Sequence, residues 1–568
     1  MLNQINQMMA RALQCFQSGN HDEAELILIK VLGTQPKNFD ALHILGVLKG
    51  IKNQHHEALE FFRKALRVNS NDSFLNFNIA KAFSEIGEDE KALKFHSSAT
   101  RLNPNHSEGW VSYGKSLSNL KRFDESLNLF SKALALNPEY AEAWTNQGCA
   151  LKELGRLQEA LDSFDRSLKI NPNIAETWSN RGITLFELKL VEEALASYVM
   201  AIEIKPNYAE AWNNRGIALN DLKRHEEAMA CYERSREVEP NYAEAIYNKG
   251  LLQLAQKEFF GGFENYLMRW ETKNFSGQPL INTGLPLCNR AMSKENILLW
   301  AEQGIGDEIF FAGMLTQALD RFSNIKLVAD TRLHPILSRS FPMVTLLKRG
   351  QHLKPEYFHK MDYQAPIGDL GHILRLDSDQ IMSTRMPFFV ADKAKSSNFE
   401  LLEPFSSGKI ICGLAWRSQN ERLGQEKNIC LEQLEPILMN TQFEFINLQY
   451  GEVEPDIRKV RSRFGVKIHQ IEGLDVYNDI DGLLALIDAC DIVVTTSNLT
   501  AHLAGSIGKR GCVFVPFSKG KIWYWHLDDA DSLWYPSLKV FHQGVRHDWT
   551  DTIHQAKTWI ERDVSWKQ

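Results

Sequence analysis

The sequence lacks most of what would mark it as a secreted, membrane-bound or nucleic-acid-binding protein. Its 568 residues include eight cysteines (Cys15, Cys149, Cys231, Cys288, Cys412, Cys430, Cys490, Cys512) but no Cys-x-x-Cys pair. They sit in apolar stretches, which reads as reduced, mostly buried thiols. There is no His-Glu-x-x-His motif and no His/Cys cluster, so no metal and no bound cofactor is expected. No apolar run approaches the ~18 residues of a spanning helix. The start, MLNQINQMMARALQCF, has no basic segment followed by an apolar core; no export signal is read and a cytoplasmic location is expected. Positive charge is not in excess, since 64 Lys+Arg face 71 Asp+Glu for a net charge of −7. Neither half is basic, which argues against nucleic acid as the main partner. With 44% hydrophobic residues, 34 Gly and 18 Pro, the composition is globular. At roughly 150 residues per domain the length suggests three or four domains.

What is present first is a repeat. Pro36, Pro104, Pro138, Pro172, Pro206 and Pro240 fall on one 34-residue lattice, with Ser70 at the missing point. Trp110, Trp144, Trp178 and Trp212 recur at the same spacing, as do Gly46, Gly114, Gly148, Gly182, Gly216 and Gly250. Ala24, Ala58, Ala92, Ala160, Ala194 and Ala228 form another row, with Ser126 between. Each period reads as two amphipathic helices, crossing closely at the Gly and Ala rows and ended by the Pro. This resembles the tetratricopeptide repeat over residues 5–273, in about eight units. One repeat cannot bury its own apolar face, so the units are expected to stack into an all-α superhelix with a groove lined by the first helix of each pair. Asn78, Asn146, Asn180, Asn214 and Asn248 form a further row two residues before the crossing position, with Ser112 in the gap. A primary amide donates and accepts, so such a row can pair with any peptide backbone; equally, the amides can cap or bridge neighbouring repeats. The spacing is similar to the asparagine ladder of O-GlcNAc transferase, which implies binding of an acceptor polypeptide.

Residues 274–295 carry Gly, Pro, Ser and Asn without helical period and read as a linker. Beyond them short apolar runs alternate with amphipathic stretches. Strands are expected at 297–302, 325–330, 410–416, 443–449, 466–470, 491–496 and 512–517, and helices at 308–322, 431–438, 454–464, 479–490 and 499–508. Such alternation means parallel sheets covered by helices. Two sets predict two Rossmann-like domains, at 296–395 and 405–568, facing a cleft.

Ligands bind at the carboxyl ends of such strands, so the loops after 302, 416, 449 and 496 carry the candidate chemistry. The first is Glu302-Gln303-Gly304-Ile305-Gly306-Asp307. Its glycines let backbone N–H groups approach a ligand at a helix start; Asp307 stands at the mouth, and an ordinary helix N-cap is the plain alternative. Arg417, Ser418, Gln419 and Asn420 follow the second strand, with Lys427 beyond. Cations there would clamp a phosphate, unless the loop is merely solvated. Gln449 closes the third strand. Ser497, Asn498, Thr500 and His502 open a helix and suit a pyrophosphate, or simply cap it. Asp377-Ser378-Asp379 spells a metal-binding DxD but reads as surface.

EQGIGDEIFF, GLAWRSQN, SNLTAHLAGSIG and DSLWYPSLKVFHQ together resemble the heptosyltransferase-like GT-B glycosyltransferases. With the repeats, the chain is similar to bacterial proteins that fuse a tetratricopeptide array to such a domain, the flagellin glycosyltransferases among them. The resemblance implies an inverting, metal-independent protein O-glycosyltransferase with a nucleotide sugar as substrate and polypeptide Ser or Thr, flagellin-like, as acceptor. It makes Asp307 the catalytic base. It places Arg417, Ser418, Lys427 and His502 in the donor site, to which the strand-end loops add Gly304, Gly306, Gln449, Ser497, Asn498 and Thr500. Ser497, Asn498 and Leu499 depart from the family motif D-[ST]-G-x-x-H, which questions the usual donor. The competing expectations are a binding scaffold with a degenerate transferase half and a sugar-nucleotide epimerase.

Overall fold

The computed structural model describes residues 2–277, 283–290, 294–351, 354–383, 387–418, 424–518 and 521–562. It divides into two compact units, Met1–Ala218 and Leu219–Gln568, the division falling inside the helix Ala209–Asp221.

The first unit is a series of antiparallel helix pairs, for example Ser107–Asn119 with Phe123–Leu136 and Ala141–Glu153 with Leu157–Ile170. The lattice has a steric cause. A Cβ on Gly114 would lie 2.5 Å from Phe130, on Gly148 2.6 Å from Phe164 and on Gly182 2.5 Å from Tyr198. Each glycine thus lets an aromatic ring, sixteen residues later, close its own helix pair. The Ala row is fully buried at Ala24, Ala58, Ala92, Ala160 and Ala194. The Trp row ties each pair to the turn before it: Trp110, Trp144 and Trp178 donate their indole N–H to the carbonyls of Pro104, Pro138 and Pro172 at 2.8, 2.9 and 2.8 Å.

The second unit begins with helices, not with the linker. His225–Val238, Ala243–Ala255, Phe259–Tyr266 and the short 3-10 turn Leu267–Glu271 belong to it. The expected boundary at 273 is therefore displaced, because the end of the helical lattice is built into the core of the α/β region. Leu254, Phe259, Phe263 and Tyr266 share one apolar cluster with strand residues such as Ile297 and Leu299. Arg269, with no exposed surface, is ion-paired to Glu302 at 3.0 Å and Asp369 at 2.6 Å. Nor is 274–295 free linker throughout. Residues 278–282 and 291–293 lie outside the described residues, but Pro286 and Cys288 exchange backbone hydrogen bonds with Gln364 at 3.0 and 2.8 Å.

Two all-parallel sheets follow. Strands β1 (Asn296–Trp300), β2 (Asn324–Ala329), β3 (Val344–Lys348) and β4 (Tyr363–Pro366) form one in the order β3-β2-β1-β4. Strands β5 (Ile410–Ala415), β6 (Phe443–Asn447), β7 (Ile468–His469), β8 (Ile492–Thr496), β9 (Gly511–Val515) and β10 (Leu538–His542) form the other in the order β10-β9-β8-β5-β6-β7. The second is the doubly wound 3-2-1-4-5-6 order, reversing between β5 and β8, where such sheets open a crevice. Strands β3, β4 and β10 were not among the expected ones, and the helix expected at 308–322 is two, Ile305–Ala312 and Leu315–Arg321. The protein is thus an all-helical tetratricopeptide array followed by an α/β region. Among the described residues no helix is long and apolar enough to cross a membrane.

Candidate active site

The carboxyl ends of β1, β5 and β8 bring the candidate loops together. Gly304 is the N-cap of helix Ile305–Ala312, so Asp307 is not the cap but its third helical residue. Its Oδ2 lies beside Gly304, 3.5 Å from where a Cβ on that glycine would sit. The Tyr524 hydroxyl donates to its Oδ1 at 3.4 Å. Burial pushes the Asp307 carboxyl up to about 6, against the pull of Lys427 and with a push from Glu302. Gly306 faces His502: a Cβ there would sit 3.4 Å from the imidazole Cδ2, so a side chain would crowd the packing of helix Ile305–Ala312 against helix Leu499–Ser506.

Lys427 ends the short helix Gly424–Lys427 and is buried, its ammonium donating to the Ser497 carbonyl at 3.2 Å. Burial lowers it to about 8, with Asp307 opposing. Beside it the hydroxyls of Ser497 and Thr500 are buried without hydrogen-bond partners. Buried hydroxyls are normally satisfied; these two lie at the N-terminus of helix Leu499–Ser506, where Lys427 also reaches the Ser497 carbonyl. His502 is buried, with Nδ1 3.0 Å from the Tyr535 hydroxyl. Burial and Lys427 push it down to about 3, so it stays neutral and is a poor base.

Three expected donor contacts are spent inside the protein. Asn498 caps helix Leu499–Ser506 through the Thr500 N–H at 2.9 Å, accepts from the Thr495 hydroxyl at 3.0 Å and donates to the Arg417 carbonyl at 3.1 Å. Gln449 accepts from the Trp416 and Arg417 N–H groups at 3.0 and 2.7 Å and donates to the Tyr450 carbonyl at 3.0 Å. The Arg417 guanidinium pairs with Asp456 at 3.3 Å and donates to the Glu452 carbonyl. These bonds shape the loop after β5. Ser418 gives its N–H to Asn428 at 2.7 Å; Gln419 and Asn420 lie outside the described residues. Asp377 is exposed and accepts from the Gln380 N–H at 2.8 Å at the start of helix Ser378–Ser383.

The asparagines of the repeat row are all half-buried. Asn78 bonds the His43 ring at 2.9 Å and so bridges repeats, and Asn146 donates to the Glu142 carbonyl at 2.9 Å. Sequence reasoning passed over Tyr524, Tyr535 and Arg269. The first two lie in WYWHLDDADSLWY, whose density of aromatics was the available signal.

Models of the tetratricopeptide repeat match residues 39–72, 107–140, 141–174 and 209–242, and a TPR repeat model matches 184–222. The N-terminal half therefore carries tetratricopeptide repeats. Protein FlbA of Caulobacter vibrioides is 29% identical over 312 residues, covering 52% of this chain and 51% of that protein. The chain thus spans about half the length of that curated relative. Among solved structures, YrrB, described as a TPR protein with an unusual peptide-binding site, is 25% identical with a TM-score of 0.29, covering 34% of this chain and 98% of that one. A tetratricopeptide repeat protein from Parabacteroides merdae is 20% identical with a TM-score of 0.38, covering 44% and 98%.

Proposed function

We propose that the α/β region is an inverting GT-B glycosyltransferase and that the repeats hold its polypeptide acceptor, flagellin-like, in the bacterial cytoplasm. The carrying observation is the joint placement of a buried ammonium, two unpartnered hydroxyls and a carboxyl raised to about 6 at the ends of β1 and β8. In this reading Asp307 takes the proton of an acceptor Ser or Thr hydroxyl as its oxygen bonds the anomeric carbon. The bond from that carbon to the phosphate oxygen breaks, and the electron pair leaves with the nucleotide. Lys427, Ser497, Thr500 and the N-terminus of helix Leu499–Ser506 receive the departing phosphate charge. The asparagine row offers amides to the acceptor backbone, raising its local concentration.

The test is intact-mass spectrometry of the host's secreted proteins, flagellin first, with the wild-type chain, with Asp307→Asn and without the protein. The reading expects a sugar mass that needs the protein and is lost with Asp307→Asn. An unchanged mass spectrum in all three rejects it. The second reading, a binding scaffold, is favoured by the pairing of Arg417 with Asp456, which withdraws one expected phosphate cation. It expects calorimetry to find no binding of UDP-, CMP- or ADP-sugars.

A further inference from the structure

Residues 523–535, before β10, have no place in the scheme above, yet their aromatic rings pack against residues of the candidate centre. Trp523, Tyr524, Trp525, Trp534 and Tyr535 are packed around Phe310 and His502. Tyr524 stacks on Phe310 at 4.5 Å and meets His502 edge-on at 5.1 Å. Trp523 and Trp534 press on Phe310 at 5.2 and 4.9 Å. His526, next in the turn, is held at φ 54°, a left-handed conformation unusual for a residue with a side chain. Gly505 makes room for Tyr535, since a Cβ there would lie 2.3 Å from its ring. Of these five aromatics, only Tyr524 and Tyr535 turn a polar group to a candidate residue: the Tyr524 hydroxyl to Asp307, the Tyr535 hydroxyl to His502.

We propose that Tyr524 is the positioning residue of Asp307, its ring fixed by Phe310 and its hydroxyl holding Oδ1 so that the carboxylate stays aimed and ready to accept a proton. The inference rests on the reading of Asp307 as a base. The groups around that carboxyl act in opposed senses. The Tyr524 hydroxyl, the Gly304 N–H and Lys427 favour the charged form, while burial and Glu302 favour the neutral one. Tyr247 and Tyr535 also sense Asp307 and are uncharged phenols with their own ionisation pushed up by burial. His502, across Gly306, is neutral. Removing one hydroxyl leaves burial less opposed, so Asp307 takes its proton at higher pH.

The full-length chain carrying Tyr524→Phe keeps the ring on Phe310 and loses only the hydroxyl. With ¹³C-labelled aspartate, infrared titration of the Asp307 carboxyl, assigned by difference from Asp307→Asn, should show its midpoint rise by about half a pH unit or more. Replacing Tyr524 with 3-fluorotyrosine, a stronger donor, should move it down. The acid limb of the transfer rate should follow both shifts while the KM for donor stays unchanged. Equal midpoints in all three proteins overturn the proposal, as does a rise of donor KM with an unmoved acid limb. If Asp307→Asn transfers sugar normally, the base assignment fails instead, and the titration still decides whether Tyr524 holds that carboxyl.

Discussion

On the proposed reading, Asp307 and Lys427 set opposite ends of one pH window. Asp307 would serve as a base only when ionised, above about 6, and Lys427 would hold phosphate charge only when protonated, below about 8. Transfer measured across pH should therefore rise through about 6 and fall beyond about 8, a bell whose lower limb disappears with Asp307→Asn, leaving about 10²-fold less activity or lower still. A rate flat from pH 5 to 9 would contradict both roles. A second titration concerns stability. His96 is buried in the first unit against the Ser116 hydroxyl at 3.2 Å, and burial lowers it from 6.5 to about 4. The unfolded chain binds this proton near 6.5 and the folded chain refuses it until about 4, so the contribution is fully present above 6.5 and is lost as pH falls toward 4. Tm should drop between pH 7.5 and 5.0 by less in His96→Gln than in the wild type. At this scale the sequence was legible in position, as for Asp307, which lies as expected in the turn after β1 where a helix begins. It was opaque where a polar side chain is already occupied. Arg417, Gln449 and Asn498 look like ligand residues, but their partners (Asp456, the Trp416 N–H, the Thr495 hydroxyl) come from folding, not from neighbouring motif letters.

Among elements, the repeat helices were legible because one steric device recurs. Glycine meets an aromatic ring at Gly46, Gly114, Gly148 and Gly182, and the periodicity of both survives in the sequence. Gly148→Val should push Phe164 from its seat and cost about 1–3 kcal/mol, read as a lowered Tm. The same change at Gly50, where a Cβ would meet nothing within 4 Å, should cost much less. In the α/β region, long apolar strands such as β8 and β9 announce themselves, because both faces are covered and every residue is buried. β3 and β4 do not: β3 alternates buried with exposed positions and β4 has four residues ending in proline. The break at Gly313 between two helices is likewise a packing event, where a Cβ would meet Phe388 at 3.0 Å.

For the whole molecule, the decisive feature is the buried cluster of Arg269, Glu302 and Asp369. The linker composition suggested a division near 273, but composition says nothing of a guanidinium buried under the loop that leads to Asp307. Arg269→Met should strand the buried Glu302 and the half-buried Asp369 and cost about 3 kcal/mol, visible as a lowered Tm of the fragment 219–568. That fragment and 1–218 should each fold, while 274–568 should fail to give a cooperative melt. A cooperative 274–568 would show that the helices before it are accessory.

The place of that cluster also bears on how such chains can change over time. A repeat that touches mainly its neighbours can be duplicated or lost in whole 34-residue steps upstream of residue 219 without cutting into the Arg269 cluster. The last helices cannot, because they double as the wall behind the Glu302 loop. A lineage, or a designer exchanging one reader of polypeptides for another, would find the interchangeable seam inside the array and not at its end. Residues 219–271 would travel with the α/β region as its fixed socket.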